Sequence, residues 1–280
     1  MLSPAIVLLL GLTIFPSIYS LVLSFGDWPT TRRNAAWTFE GLGNYQRVFT
    51  DPRALNAFKV TAVYVVGAVG AETLLGLLIA LLLNGQRRGV GITRTIIMLP
   101  MMTTPVVVGL IWRLMFNTDV GWINFFFRLI DLPALDWLGS ASTGLLSVII
   151  GEVWEWTPFV ALISLAALKA MPQDPVEAAV VDGASPWQIL RFITLPYLLP
   201  TIGVCVLLRT IDSFKFFDLL YVLTGGGPGT ASEVISLYTY KQGFNFFHLG
   251  YAAALSYVTL IIIVILANIA VFSGLFRQSR

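Results

Sequence analysis

The sequence predicts an all-α integral membrane protein, a single domain of six transmembrane helices over residues 1–280, and three observations carry that prediction. Of the 280 residues, 57% are hydrophobic and 11% are charged, with a mean hydropathy of +0.82. A soluble chain would carry about a quarter charged residues. Apolar runs at roughly 2–25, 58–83, 95–117, 144–168, 197–222 and 252–276 each approach the ~20 residues that cross about 30 Å of hydrocarbon as a helix. Between them lie polar stretches with turn residues, and no low-complexity linker splits off a second domain.

The first run, interrupted by Pro4, Gly11 and Pro16, is expected to be a span rather than a signal peptide. It has no basic n-region, no small-residue cleavage site, and too great a length. Phe39 to Val48 is expected to form a short surface helix, and Asp119 to Gly139, with Gly121, Pro133 and Phe125-Phe126-Phe127, a segment lying on the interface. Between the fourth and fifth runs, Ala178 to Val181 favour helix, Gly183 permits a turn and Pro186 can open a second helix at its first position. Pro196 and Pro200 mark the start of the next span. Arg87, Arg88, Arg94, Lys169, Arg191, Arg277 and Arg280 are concentrated in short segments on one side, whereas Arg32, Arg33, Arg47, Arg53, Arg128 and Lys241 are spread over longer loops on the other. The first side, with both termini, is therefore expected to be cytoplasmic.

Several function classes are excluded. A net charge of +2 is too small to imply nucleic acid. Cys205 alone cannot form an intrachain disulfide and reads as a packing residue; with His248 alone beside it, a Cys/His metal site has nothing to be built from. The glycine-rich LTGGGPGTASE stretch from Leu223 to Glu233 is not followed by Lys-Ser or Lys-Thr, so it is no phosphate-binding P-loop.

Charges within the apolar runs are costly, roughly 2.5 to 3.5 kcal/mol each at the bilayer centre on insertion scales, and usually face a protein interior or a water-filled path. In the fifth run Arg209, Asp212, Lys215 and Asp218 recur every third residue with alternating sign, a ladder of about 13 Å on a helix. In the fourth, Glu152 and Glu155 lie one turn apart among Trp154, Trp156 and Phe159. Carboxylates accept paired hydrogen bonds from hydroxyls and aromatic faces pack on the C–H faces of sugar rings, which suits a carbohydrate. The other reading is that these charges pair with the basic residues of the fifth run and hold two helices together. Glu72 and Arg113 are single charges, expected to make structural or gating contacts. A membrane-embedded enzyme using Glu152 and Glu155 as an acid/base pair would lack a nucleophile or metal set. An ion-coupled secondary transporter of a polar solute would use the membrane charges as its coupling site, but no inverted repeat is visible.

One pattern is more specific. Glu177-Ala178-Ala179, Asp182-Gly183-Ala184, Ile193 and Leu195-Pro196 resemble the EAA loop of permease subunits in binding-protein-dependent ABC importers. In that family the loop forms a short coupling helix seated in a cleft of the ATPase subunit. Gly109-Leu110-Ile111-Trp112-Arg113 with Phe116-Asn117, Asp136-Trp137-Leu138-Gly139, Leu223-Thr224-Gly225-Gly226-Gly227-Pro228 and Leu249-Gly250-Tyr251-Ala252-Ala253-Ala254 resemble the maltose-type carbohydrate permeases.

The resemblance implies a type I ABC importer permease fold in a bacterial or archaeal cytoplasmic membrane, with residues 169–196 as the cytoplasmic EAA loop. It implies ATPase coupling through Glu177, Ala178, Ala179, Asp182, Gly183 and Ala184, and substrate contacts at Glu152, Glu155, Trp156, Phe159, Arg209, Ser213 and Phe216. Expected partners are a second, different permease, two ATPase subunits that bind ATP and Mg, and an extracytoplasmic substrate-binding protein. No catalytic residue and no cofactor of its own are expected. Where the maltose-type pattern has mostly neutral polar and small residues, this chain has Glu152, Glu155 and Arg209. Because Glu152, Glu155, Asp212 and Asp218 oppose Arg209 and Lys215, the lining has no positive excess for a phosphate ester, and a neutral sugar or polyol is expected.

Overall fold

The computed structural model describes residues 6, 8–28, 36–85 and 89–272. Pro4, Arg32, Arg33, Arg87, Arg88, Arg277 and Arg280 lie outside the described residues. Helix α1 (Leu10–Ser24) carries the first apolar run. Beyond the all-helical expectation, a two-residue antiparallel pairing follows it, β1 (Gly26–Asp27) with β2 (Thr38–Phe39). The expected surface helix is α2 (Gly43–Thr50). Next comes α3 (Pro52–Gly85), 34 residues and so about 51 Å long, well beyond the hydrocarbon thickness. Its start is fixed locally: the Asp51 carboxylate accepts the Arg53 N–H at 2.9 Å, with Pro52 at the first helical position.

The 95–117 run, expected as one span, arrives in pieces: α4 (Val90–Met98), a 3₁₀ turn at Pro100–Met102 and α5 (Pro105–Met115). Thr104, immediately before a proline, sits in extended backbone at φ −71°, ψ 141°, because the proline ring disfavours a helical residue ahead of it. Helix α6 (Trp122–Leu129) lies within the segment expected on the interface, and α7 (Gly144–Ala170) matches the fourth run closely. After α8 (Asp174–Val181), the chain forms α9 (Pro186–Ser213), continuous through a wider π-helical turn at Leu190–Thr194. The remaining helices are α10 (Asp218–Leu223), α11 (Ile235–Tyr240), which runs on through a π turn at Lys241–Asn245, and α12 (Leu249–Phe272). Among the described residues, α3, α7, α9 and α12 are long and apolar enough to cross a membrane, whereas α1 and α5 are shorter apolar helices.

The fifth run therefore does not stay helical to residue 222. After Ser213 the backbone leaves the helix, and three phenylalanines explain why. Phe214 is buried, Phe216 stacks on Tyr64 at 4.9 Å, and Phe217 packs on Tyr221 and Tyr240 at 5.2 and 4.9 Å. A continuous helix would set Phe216 about 200° and Phe217 about 300° round its axis from Phe214 and could not seat all three. The expected four-charge ladder is thereby cut after Asp212: Lys215 and Asp218 are exposed and off the α9 axis.

Helices α3 and α7 form the spine of the bundle. They approach closely at Gly76, which faces Val160 and Ala161, and at Gly67, which faces Ile149. Small residues at helix contacts let backbones come together where lipid offers no hydrophobic drive. Near the α8 end, Ala80, Leu83, Leu165, Leu168 and Leu198 form one apolar cluster. At the opposite end, buried Asn124 organises the α6 loop: its amide donates to the Leu135 carbonyl (2.9 Å) and accepts from Leu135 N–H and the Trp137 indole (3.1 Å each). The glycine-rich loop after α10 is held by Glu233, which is fully buried and accepts from Arg53 (2.7 and 2.9 Å) and Lys241 (2.8 Å). Burial pushes this carboxyl's pKa up, but the hydrogen bonds from Arg53 and Lys241 outweigh it and hold it below its ordinary value.

Candidate functional site

Two sites stand out, one mid-bundle and one at the end of α7. In the first, Arg209 projects from α9 into the space between α3 and α7. Its Nε donates to Glu72 Oε2 at 2.8 Å, and one terminal nitrogen donates to Glu72 Oε1 at 3.2 Å and Glu152 Oε1 at 2.6 Å. The other terminal nitrogen donates to Asp212 Oδ2 at 2.6 Å. A guanidinium has five N–H groups, and four are engaged here. The ring of Trp156 lies beneath the guanidinium carbon at 4.2 Å, a cation–π contact. Arg209, Glu72 and Glu152 are at most 2% exposed, while the Asp212 side chain is 56% exposed.

The structure thus brings Glu152, Trp156 and Arg209 together and adds Glu72, expected from the sequence as a single charge in a structural or gating contact. Both readings of the fourth-run carboxylates find a footing. Glu152 pairs with Arg209 and so joins helices; Glu155, buried one turn on, has no ion-pair contact within 4 Å among the described residues. Among the described residues, Glu152 Oε2, Glu155 Oε2, Thr157 Oγ1 and Ser213 Oγ are buried polar atoms without a hydrogen-bond partner. Such atoms are rare in folded proteins and tend to meet water or a ligand. Phe159 packs edge-on against Trp156 at 6.4 Å, and Phe216 stacks on Tyr64, whose buried hydroxyl lies near Glu152. Arg113 donates to the Val222 carbonyl at 3.2 Å and ties α5 to α10.

Glu72 lies 137 residues from Arg209 in sequence, and no periodicity links them. Charge balance was the available signal: a carboxylate inside a long uncharged helix needs a cation, and Arg209 is the fifth-run cation nearest its middle.

The second site is a helical hairpin built by local chemistry. Helix α8 ends with Gly183 in the left-handed region at φ 80°. Gly183 N–H donates to the Val180 carbonyl at 3.1 Å and Ala184 N–H to the Ala179 carbonyl at 2.9 Å, the paired bonds of a Schellman cap. Two residues on, Ser185 and Gln188 form a reciprocal capping box with Pro186 at the first helical position, and α9 begins. Pro186 does open a helix, and that helix is the membrane helix itself. Glu177, Ala178, Asp182 and Gly183 are exposed, and Ala179 and Ala184 half-buried. Beside them Val181 is 86% and Trp187 64% exposed, large apolar side chains on a polar turn. The hairpin stands off the bundle across a cleft of about 280 Å³ whose lining includes Leu81, Asn84, Leu168, Val176 and Leu190. Lys169, donating to the Asn84 carbonyl at 3.3 Å, fastens the neighbouring helix ends.

Against known proteins, residues 72–277 match the family described as "Binding-protein-dependent transport system inner membrane component". The trehalose/maltose transport system permease protein MalF of Thermococcus litoralis is 37% identical over 243 residues, 86% of this chain and 81% of that protein. The trehalose transport system permease protein SugA of Mycobacterium tuberculosis is 34% identical over 261 residues, 91% of this chain and 81% of that protein. In structure, the chain superposes with a TM-score of 0.85 on a chain of a bacterial ABC transporter involved in the import of the acidic polysaccharide alginate. The two are 23% identical, with 100% of this chain and 95% of that chain covered. The ABC importer permease fold, the EAA hairpin and the apolar helices thus agree with a family match spanning the segment from Glu72 on α3 through the last helix, and the chain belongs to the binding-protein-dependent transport system inner membrane components, a permease and not an enzyme.

Proposed function

We propose that this chain is one of two different permease subunits of an ATP-driven importer that moves a neutral sugar or polyol across the cytoplasmic membrane of a bacterium or archaeon. A substrate-binding protein delivers the solute, and two separate ATPase subunits bind ATP and Mg and drive the cycle. All six apolar runs span the bilayer as one domain, with α5 and its 3₁₀ approach supplying the third, and both termini face the cytoplasm. Family membership and the missing inverted repeats count against an ion-coupled carrier. The names of the trehalose and maltose relatives support a sugar.

The observation that carries the site is the group of buried, unpartnered polar atoms on α7 and α9 beside Trp156. Glu152, Glu155, Trp156, Phe159, Arg209, Ser213 and Phe216 line the solute path. Arg209 acts mainly by fixing Glu152, since most of its own donors are taken, and Glu155 and Ser213 are left to meet sugar hydroxyls. The second reading of Glu152, a helix-joining pair, is compatible with this division of labour. Coupling runs through Glu177, Ala178, Ala179, Asp182, Gly183 and Ala184, with exposed Val181 and Trp187 as the apolar part of the ATPase contact.

The test is uptake of labelled trehalose and maltose by proteoliposomes holding the assembled transporter. Uptake should need internal ATP, persist without a proton gradient, and fall in Glu155→Ala while the complex still runs intact on a native gel. Uptake driven by an ion gradient alone, or competition by glycerol phosphate but not by neutral sugars, would refute the proposal.

A further inference from the structure

We infer that α6 is a lipid anchor, its outer face inserted at the headgroup and acyl-chain boundary of the leaflet on the side opposite the α8 hairpin. One face of this helix is committed to protein: Asn124 holds Leu135 and Trp137, and Phe127 packs edge-on against Trp137 at 5.7 Å. The other face has no partner among the described residues. Trp122, Phe125 and Phe126 pack edge-on or tilted against one another with ring centroids 5.7 to 6.3 Å apart, 44 to 57% exposed, and Leu129 and Ile130 extend the patch at 63 and 66%.

The occupant follows from position. Helix α6 comes shortly after α5 ends at Met115 and before α7 starts at Gly144. The far end of α7, at Ala170, leads into the α8 hairpin. At 27 residues α7 is about 40 Å long, so α6 sits a full bilayer away from the hairpin, at the level where a membrane helix emerges. On the preceding helix α5, Val107, Leu110 and Leu114 are likewise exposed. A tryptophan at that depth matches the interfacial preference of its ring, and Trp, Phe and Leu together on one face match an interfacial amphipathic helix. The charges around the helix, Asp119, Arg128 and Asp131, are exposed and mixed in sign, as suits a zwitterionic headgroup layer rather than one strongly charged protein surface. An amphipathic helix in this setting buries its apolar face about 5–10 Å into the boundary.

The experiment places a reporter on that face. In the assembled transporter with Cys205→Ser, Phe126→Cys is labelled with an environment-sensitive fluorophore, and Leu129→Cys repeats the measurement from a second position. The transporter is held in nanodiscs carrying a spin-labelled lipid with its quencher near the headgroup or near the chain end, and iodide serves as the aqueous quencher. Insertion predicts blue-shifted emission, shallow lipid quenching at least about twofold stronger than deep quenching, and weak iodide quenching. Val66→Cys on α3, 74% exposed within a membrane helix, should show the reverse depth order. Strong iodide quenching at both α6 positions would make the face aqueous. Protection from lipid and iodide alike would assign it to a protein partner. Either result overturns the inference.

Discussion

Replacing Gly76 tests whether the spacing of α3 and α7 is set by the missing side chain at this position. A Cβ here would lie 2.7 Å from Val160 Cβ, 2.9 Å from its Cγ1 and 3.0 Å from the Ala161 backbone nitrogen. Carbon atoms sit comfortably at about 3.5–4.0 Å, so the helices must part by roughly 0.5–1 Å. Val160 and Ala161 are fully buried and have nowhere to move. Overpacking of this kind costs about 1–3 kcal/mol, partly offset by the ~1 kcal/mol that alanine gains over glycine in a helix interior. Gly76→Ala should therefore destabilise the chain by up to about 2 kcal/mol. Gly70, on the same helix, has nothing within 4 Å of its would-be Cβ, and Gly70→Ala should stabilise by up to about 1 kcal/mol. Equilibrium unfolding of the purified chain in mixed micelles reads both changes, and adding Val160→Ala to Gly76→Ala should relieve part of the loss. Equal stabilities for Gly76→Ala and Gly70→Ala would refute the reasoning. Because Gly76 lies one turn beyond Glu72, parting the helices there should also loosen the Glu72–Arg209–Glu152 contact and lower transport.

Other consequences follow from the same geometry. Gly183→Val forces a β-branched residue into a left-handed position, at about 1–2 kcal/mol, whereas Gly183→Asn tolerates it. Valine should uncouple ATP hydrolysis from uptake with the membrane helices still assembled, and asparagine should retain more coupling; equal behaviour of the two would remove backbone strain as the cause. Asn124→Ala leaves the Leu135 backbone and the Trp137 indole without partners, costing about 2–3 kcal/mol, and hydrogen exchange across 117–139 should accelerate while α7 stays protected. Glu233 is held below its ordinary pKa of 4.5, so its contribution to stability is full above that value and fades as pH falls through the lower folded value. The deficit of Glu233→Gln relative to the parent chain should be clear at pH 7 and close progressively below about pH 4.5. A deficit that stays constant down to pH 3 would show that the Arg53 and Lys241 contacts do not depend on the charge.

Taken alone, the sequence determined the solvent and the punctuation. Long uncharged runs can only be stable in hydrocarbon, so α3, α7 and α12 were legible nearly to their ends. The turn of the EAA hairpin was equally plain, since Gly183 and Pro186 act on their own backbone neighbours and need no distant partner. Tertiary structure decided what depends on contacts between residues far apart in the chain. Glu72 and Arg209 had no shared period to reveal them as partners, and the alternating ladder from Arg209 to Asp218 looked continuous because helical spacing ignores what the phenylalanines between the charges must pack against. Once Phe214, Phe216 and Phe217 settle into the core and against Tyr64, Tyr221 and Tyr240, α9 must stop at Ser213, Lys215 and Asp218 turn outward, and Arg209 is left to Asp212 and the two buried glutamates. Local rules fix where a helix can start or stop, but burying large side chains is worth more than continuing a helix by one turn, and that comparison requires the neighbours that only the folded chain supplies.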